Sequence, residues 1–277
     1  MKKITIQIIS DIHLEHHITH PNIKPIAKYL FLAGDIGIIN LTHCCKIKKF
    51  FNYCSENWEK IYYVLGNHEF YQINKNTKSF ENLINDYTHL CNEYPNIYLL
   101  NNSQQQILPG LNVYGTTLWT GNYNFPHNIS PSRYLNDYNM IKINSHSFPN
   151  LTIPLNENFI NELSKNQLNL LEKYLKNINL TNTKTIVITH FPLLRQNTSN
   201  PKYLSQPDYL ANYFSWNNIF NKLNCSNVIG WISGHTHWSY DITLNNNRFI
   251  ANQYGYKNKL VNEKTNFKQD FIFELEY

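Results

Sequence analysis

Apolar and polar positions along the chain fall into a repeated arrangement, a short run of β-branched and aromatic residues followed by a polar cluster. The runs span 4–9, 29–33, 61–65, 185–188 and 228–232. Apolar runs of this length without alternation suit strands buried on both faces, so they predict the central strands of an α/β fold. Elsewhere the apolar spacing turns helical, over Thr42–Trp58, Lys78–Cys91, Ser164–Asn177 and Asp208–Leu223. Ser164-Lys165-Asn166-Gln167 has the form of a capping box and predicts the start of the third helix. From Tyr240 to Tyr277 polar and apolar residues alternate as in short antiparallel strands, with Asn245-Asn246-Asn247 as a turn. Between about Gly121 and Pro154 periodicity is lost and Asn, Ser, Pro and His collect, which predicts an insertion across a cleft, with Arg133–Met140 as a lid element. With no repeat or linker visible, the 277 residues read as one domain.

Each predicted strand runs directly into a polar motif: Asp11-Ile12-His13, Gly34-Asp35, Gly66-Asn67-His68-Glu69, Thr189-His190 and Gly234-His235-Thr236-His237. In open α/β sheets ligands sit beyond the carboxyl ends of the strands, where all five motifs fall. Carboxylate, amide and imidazole donors together suit first-row divalent ions, and a glycine at a strand end lets backbone and side chain turn together into a cleft.

These five motifs, in this order, resemble those of the calcineurin-like metallophosphoesterases, in particular a bacterial and viral branch of small enzymes. The segments Gly115–Thr120 and Asn252–Tyr256 share the similarity. The resemblance implies an α/β fold, a four-layer α/β/β/α sandwich of two mixed sheets flanked by helices. It further implies that Asp11, His13, Asp35 and His237 hold one metal and that Asn67, His190 and His235 hold a second, with Asp35 bridging. Two cations set against two carboxylates leave a surplus positive charge to attract a phosphate. The reaction implied is hydrolysis of a phosphodiester or phosphomonoester of a small molecule or nucleotide by a hydroxide bridging the two ions, whose spacing of roughly 3.5–4 Å acidifies bound water. His68, next to Asn67, is the implied general acid that protonates the leaving group. Mn, Fe or Zn fits such a donor set, with Mn the first expectation.

Departures from relatives narrow the class. Ser/Thr protein phosphatases of the superfamily carry a second aspartate and an arginine soon after the Gly-Asp motif, where this chain reads Ile36-Gly37-Ile38-Ile39-Asn40. A protein phosphatase is therefore disfavoured, and a partner for His68 has to come from elsewhere or be absent. Glu69 reads as a local structural residue, orienting an imidazole or capping the next helix. Phe70-Tyr71 reads as an anchor for the loop or a flank for a nucleoside.

Charge and composition refine this further. A formal charge of +5 suits an anionic substrate, yet no Lys/Arg stripe interleaved with aromatics is present, so a nuclease stays an alternative and nucleic acid is not the favoured partner. A non-catalytic interaction scaffold is the other alternative. The chain holds 44 asparagines, so sequons such as Asn101-Asn102-Ser103 arise by chance, while arginine is scarce, at Arg133, Arg195 and Arg248. Arg195, five residues after His190, is the candidate for a bidentate phosphate contact. The extra histidines His16, His17 and His20 read as part of a loop rather than as ligands. Five cysteines show no disulfide or zinc spacing. Neither a secretory h-region nor a membrane-spanning run is found, so a cytoplasmic protein without a membrane partner is expected, its oligomeric state open.

Overall fold

The computed structural model describes residues 3–17, 20–39, 44–72, 78–121, 124–126, 128–148, 151–181, 183–217, 219–257 and 263–277. Its strands are β1 (Lys3–Ile9), β2 (Tyr29–Ala33), β3 (Lys60–Val64), β4 (Ile97–Leu99), β5 (Ser103–Leu108), β6 (Leu111–Thr116), β7 (Lys142–Asn144), β8 (Thr152–Pro154), β9 (Lys184–Thr189), β10 (Val228–Ile232), β11 (Tyr240–Leu244), β12 (Asn247–Ala251) and β13 (Ile272–Glu276). The α-helices are α1 (Cys44–Asn57), α2 (Phe80–Asn92), α3 (Asp137–Met140), α4 (Glu157–Ile178) and α5 (Asp208–Phe214).

Two large mixed sheets form the frame, one ordered β13-β1-β2-β3-β4 and the other β11-β12-β10-β9-β6-β5, while β7 and β8 pair as a separate hairpin. In the first sheet β1, β2, β3 and β4 run parallel and β13 lies antiparallel on β1. In the second, β6, β9, β10 and β12 run parallel, with β5 and β11 antiparallel at the edges. Parallel strands need both faces covered, and the apolar runs provide for this. Ile6, Ile8, Phe31 and Val64 meet Ile186, Ile188 and Ile232 in one core between the sheets. Ile9, Leu32 and Tyr63 turn the other way and pack on Phe50 and Phe51 of α1 and Leu83 and Tyr87 of α2. Val187 and Trp231 cover the far face of the second sheet together with Leu171 and Leu175 of α4. The layers are therefore α/β/β/α.

The helices differ from the sequence pattern in two informative places. α4 begins a full two turns before Ser164, because Asn156 caps it by accepting from Phe159 N at 3.0 Å. Ser164 and Gln167 lie inside the helix on its buried face, and Gln167 Oε1 accepts from Trp119 N at 2.8 Å, so the apparent capping box is a packing face. The helix expected over Asp208–Leu223 ends at Phe214, where Ser215 turns extended, and resumes only as a 3₁₀ turn at Ile219–Lys222. Of the helix expected over Thr42–Trp58, Thr42 and His43 lie outside the described residues. The Asn turn between β11 and β12 is as expected: Asn245 and Asn246 both adopt positive φ, 50° and 62°, as a tight hairpin turn requires.

Because α4 depends on Asn156 for its first free N–H groups, Asn156→Ala is expected to lower unfolding free energy by about 1 kcal/mol. Equilibrium denaturation with urea checks this; an unchanged midpoint would mean the cap contributes nothing.

Candidate metal centre

The parallel strands β1, β2, β3, β9 and β10 all deliver their following residues to one cavity. Asp11 and His13 follow β1, Asp35 follows β2, Asn67 and His68 follow β3, His190 follows β9, and His235 and His237 follow β10. Backbone hydrogen bonds tie these loops to one another: Asp11 N to Gly34 O at 3.0 Å, His13 N to Asp35 O at 3.0 Å and Gly234 N to His190 O at 2.9 Å. Side chains of the site add more, with His235 N on Asp11 Oδ1 and His68 N on Asp35 Oδ1, both at 2.9 Å.

Close approach dictates the glycines. A Cβ on Gly34 would lie 2.4 Å from His190 Nδ1, and one on Gly66 would lie 2.1 Å from Asp35 Oδ1. More unusual is the backbone of the polar residues themselves. Asp11, His13, Asp35, His235 and His237 all have φ between 49° and 75°. That left-handed region is disfavoured for side chains with a Cβ, and Asp and His tolerate it better than apolar residues do.

Two groups of donor atoms result, Asp11, His13, Asp35 and His237 in one and Asp35, His190 and His235 in the other, the atoms of each lying within 4.8 Å of one another. Asp35 belongs to both: its Oδ2 is 3.8 Å from His13 Nε2 and its Oδ1 is 3.4 Å from His190 Nε2. Asn67 turns its Oδ1 into the second group, 3.0 Å from His190 Nε2 and 3.1 Å from His235 Nδ1. Second partners fix the rings. His190 Nδ1 lies 2.9 Å from Ala33 O, and His237 Nδ1 lies 2.6 Å from Glu263 Oε2. Every residue assigned by resemblance to the metals is thus brought to one place.

The electrostatics of this cluster call for cations. Asp11 and Asp35 are fully buried beside one another, and the cationic groups facing them among the described residues are imidazoles. Burial raises the pKa of Asp11 against the lowering effect of His237 and His190. At Asp35, burial is outweighed by His190, His68 and His13, and the carboxyl stays well below the usual range. Burial takes His13 down to about 4 and lowers His235 well below the ordinary imidazole value, leaving both in the neutral form that ligates a metal. At His190 burial would lower the pKa, but the Asp35 carboxylate outweighs it and raises the ring to about 9, so a positive charge is drawn to this place. Buried carboxylates without Lys or Arg beside them, set among imidazole and amide donors, fit divalent cations.

His68 stands beside these groups rather than among them. Its ring stacks on Tyr71 at 4.1 Å, its Nδ1 lies 3.2 Å from Glu15 Oε1, and its Nε2 lies 3.2 Å from the Tyr256 hydroxyl. Burial alone would lower its pKa, but the carboxylates of Asp35 and Glu15 outweigh it and raise it to about 9. Glu15 is buried and also receives His13 Nδ1 at 3.3 Å. Burial would raise its carboxyl, but the hydrogen bonds from the two rings outweigh it and hold the group below the usual range. The partner that the Gly-Asp motif does not provide for His68 is therefore Glu15. It sits two residues after His13.

Glu69 neither caps a helix nor orients an imidazole. Fully buried, it accepts from the backbone N–H groups of Asp35, Ile36, Gly37 and Gly66 and from the Tyr63 hydroxyl. Phe70 anchors its loop, stacked on Phe80 at 3.9 Å. Arg195 lies at the cavity wall and makes a 2.9 Å ion pair with the exposed Asp208. Residues passed over in the sequence also enter: Tyr256 and Glu263, beyond β12, and Asp137 of α3.

The cavity over the centre has a volume of about 370 Å³. Asp35, Asn67, His68, His235 and His237 line one side, and Tyr134, Leu135 and Asn136, just before α3, wall another, with Tyr203, Leu204, Tyr213, Phe214 and Tyr256 around the rest.

The chain is similar to known proteins. Residues 4–239 match the calcineurin-like phosphoesterase family. The chain is 32% identical over 242 residues to "Uncharacterized protein L509" of Acanthamoeba polyphaga mimivirus, covering 86% of this chain and 81% of that protein. Among solved structures, Phosphopantetheinyl Hydrolase (PptH) from Mycobacterium tuberculosis superposes with a TM-score of 0.67 at 17% identity, over 92% of this chain and 90% of that one. With sheet order, strand-end motifs and clustered donors all in agreement, the chain belongs to the calcineurin-like phosphoesterase family, enzymes that hydrolyse phosphoesters.

Proposed function

We propose that the protein is a dinuclear metal-dependent hydrolase acting on a phosphoester of a small molecule, a phosphomonoester or phosphodiester, nucleotides included. The observation that carries this reading is the position of Asp35, one carboxylate oxygen facing His13 and the other facing His190. Asp11, His13, Asp35 and His237 would hold one ion and Asn67, His190 and His235 the other. When bound, such a pair supplies an acidified water and neutralises charge on the transferring phosphoryl group. Mn, Fe and Zn all suit these donors, Mn first among them.

The chain's own residues do the rest. His68, protonated on both nitrogens, can release the Nε2 proton to a leaving oxygen, while Glu15 keeps the Nδ1 proton in place and fixes the ring. The Tyr256 hydroxyl beside Nε2 marks where that oxygen would approach. Arg195 can leave Asp208 for a phosphate, since an exposed ion pair contributes about 0–1 kcal/mol. Tyr134, Leu135 and Asn136 act as a lid that excludes water.

The cavity supports a small substrate over nucleic acid. Its volume of about 370 Å³ falls within the range of small-ligand pockets, and among the described residues its lining holds Arg195 and no lysine. A nuclease groove needs several cationic contacts along a phosphate backbone. The aromatic wall suits a substrate with an apolar or aromatic moiety. Cys54, Cys91 and Cys225 are buried free thiols, in keeping with a reducing compartment such as the cytoplasm. No helix among the described residues is long and apolar enough to cross a membrane.

Purified protein should carry close to two divalent ions per chain by elemental analysis, and Asp35→Ala should lower occupancy of both sites. Full metal content in that variant would defeat the shared-carboxylate arrangement.

Arg195→Lys keeps the charge and loses the planar fork, so kcat/KM is expected to fall with metal content unchanged. Identical kinetics would leave Arg195 as a surface ion pair only.

For His68→Ala the loss should follow the leaving group. Metal content is retained, an alkyl phosphoester loses on the order of 10²-fold in kcat, and a nitrophenyl ester, whose phenolate departs unaided, loses far less. Equal losses on both substrates, or loss of metal, would remove the acid role.

A further inference from the structure

Asn67 presents a choice that its own chemistry does not make. A carboxamide has a lone-pair oxygen on one side and two N–H donors on the other, and the two ends have nearly the same shape. Only the oxygen can serve a cation. Rotated by half a turn about its last bond, the same side chain would present hydrogens to His190 and His235 and ligate nothing.

The neighbour on the other side of the amide makes the choice. Asp137, the first residue of α3, is fully buried and pairs with no Lys or Arg among the described residues. Its Oδ1 accepts from Asn67 Nδ2 at 2.9 Å. The same oxygen accepts from the Tyr71 hydroxyl at 2.7 Å, and Oδ2 accepts from the Tyr213 hydroxyl at 2.8 Å. Both carboxylate oxygens are thus committed to donors, and only the N–H₂ end of the amide can face them. An oxygen turned toward Asp137 would set acceptor against acceptor in a buried space, where the unmade bonds are costly.

We propose that Asp137 is a positioning residue for the second metal site, selecting the orientation of the Asn67 amide that turns Oδ1 toward His190 and His235. This rests on the dinuclear reading of the centre. Asp137 touches neither cavity nor reacting atoms, and it acts through Asn67. It belongs to the inserted stretch, while Tyr71 follows the His68 turn and Tyr213 lies in α5. The wall of the cavity and the second site are therefore joined at one carboxylate, so the wall cannot swing away without freeing the amide.

Stepwise titration of the metal-free protein with Mn²⁺, followed by calorimetry, tests this without any turnover. Asp137→Ala removes the acceptor and is expected to weaken binding of the second ion by about 10–100-fold, with the first ion bound as in the wild type. Asp137→Asn should restore the second affinity to within a few-fold, because its Oδ1 can still accept from Asn67 and Tyr71 while its N–H₂ donates to Tyr213. If Asp137→Ala does not fold, Asp137→Leu, which fills the space without an acceptor, is read in its place. Two ions bound with wild-type affinities by the variant without the acceptor overturn the proposal. Equal weakening by Ala and Asn overturns it too, since charge rather than orientation would then matter. So does loss of the fold in both the Ala and Leu proteins, which would make Asp137 a general structural residue. A wild-type protein that binds only one ion instead refutes the dinuclear reading itself, and this inference with it.

Discussion

The site is held together by a carboxylate that never reaches the cavity. Glu69 gathers the N–H groups of Asp35, Ile36 and Gly37 from the end of β2 and that of Gly66 from the end of β3, and the Tyr63 hydroxyl completes its shell. Strands hydrogen-bond along their length, but beyond their last residue the ladder stops and the backbone donors are left without partners. Here one buried side chain substitutes for the missing ladder on two adjacent strands. It forces the chain to turn at Asp35, so that this residue's side chain points into the site instead of continuing the sheet. Burial, with the Asp35 carboxylate beside it, pushes the Glu69 carboxyl up to about 7, a tendency that the Tyr63 hydroxyl, His190 and the Ile36 N–H oppose. This clamp fixes the backbone of the residue that faces both donor groups, and His68 N fixes its side chain.

Around that point the fold solves an electrostatic problem by geometry. Two carboxylates and a set of imidazoles are brought to the mouth of two mixed sheets whose shared core, from Ile6 through Ile188, excludes water beneath them. Each strand end contributes one or two groups, and the loops are tied by backbone bonds between Asp11, Gly34, His13 and Asp35. The rigidity needed to hold polar groups against one another comes from the sheets, and the polar groups in turn hold the strand ends in register. Glu15 and Asp137 repeat the logic of Glu69 one layer further out, each a buried acid whose hydrogen bonds orient a residue of the cavity, His68 in one case and Asn67 in the other.

The legibility of these features in the amino-acid order depends on range. Uninterrupted apolar runs marked β1, β2, β3, β9 and β10, because a strand covered on both faces has nothing polar to interrupt it. The motifs after them were legible because the donor types are unusual in company. Ser164 and Gln167 misled because a capping box is defined by local spacing, while Gln167 serves a backbone N–H at Trp119, 48 residues away. The break at Ser215 was invisible for a similar reason, as apolar spacing continues through it. Glu15, Asp137 and Glu263 are ordinary acids until the fold sets them beside His68, Asn67 and His237, and their partners lie 53, 70 and 26 residues away. Nothing in their neighbourhoods announces this.

The left-handed backbone at Asp11, His13, Asp35, His235 and His237 sets the protein's resistance to change against its chemistry. A residue with a Cβ held in this region costs on the order of 1–2 kcal/mol, which glycine does not incur and asparagine incurs less. At these five positions replacement by glycine would relieve that strain while removing a carboxylate or an imidazole from the cluster, and with it, at Asp11 and Asp35, the hydrogen bonds from His235 N and His68 N. A library of variants sorted for heat resistance alone would place no value on the groups that these side chains bring to the cavity. The candidate metal centre is the part of this molecule that selection for stability alone would leave unguarded.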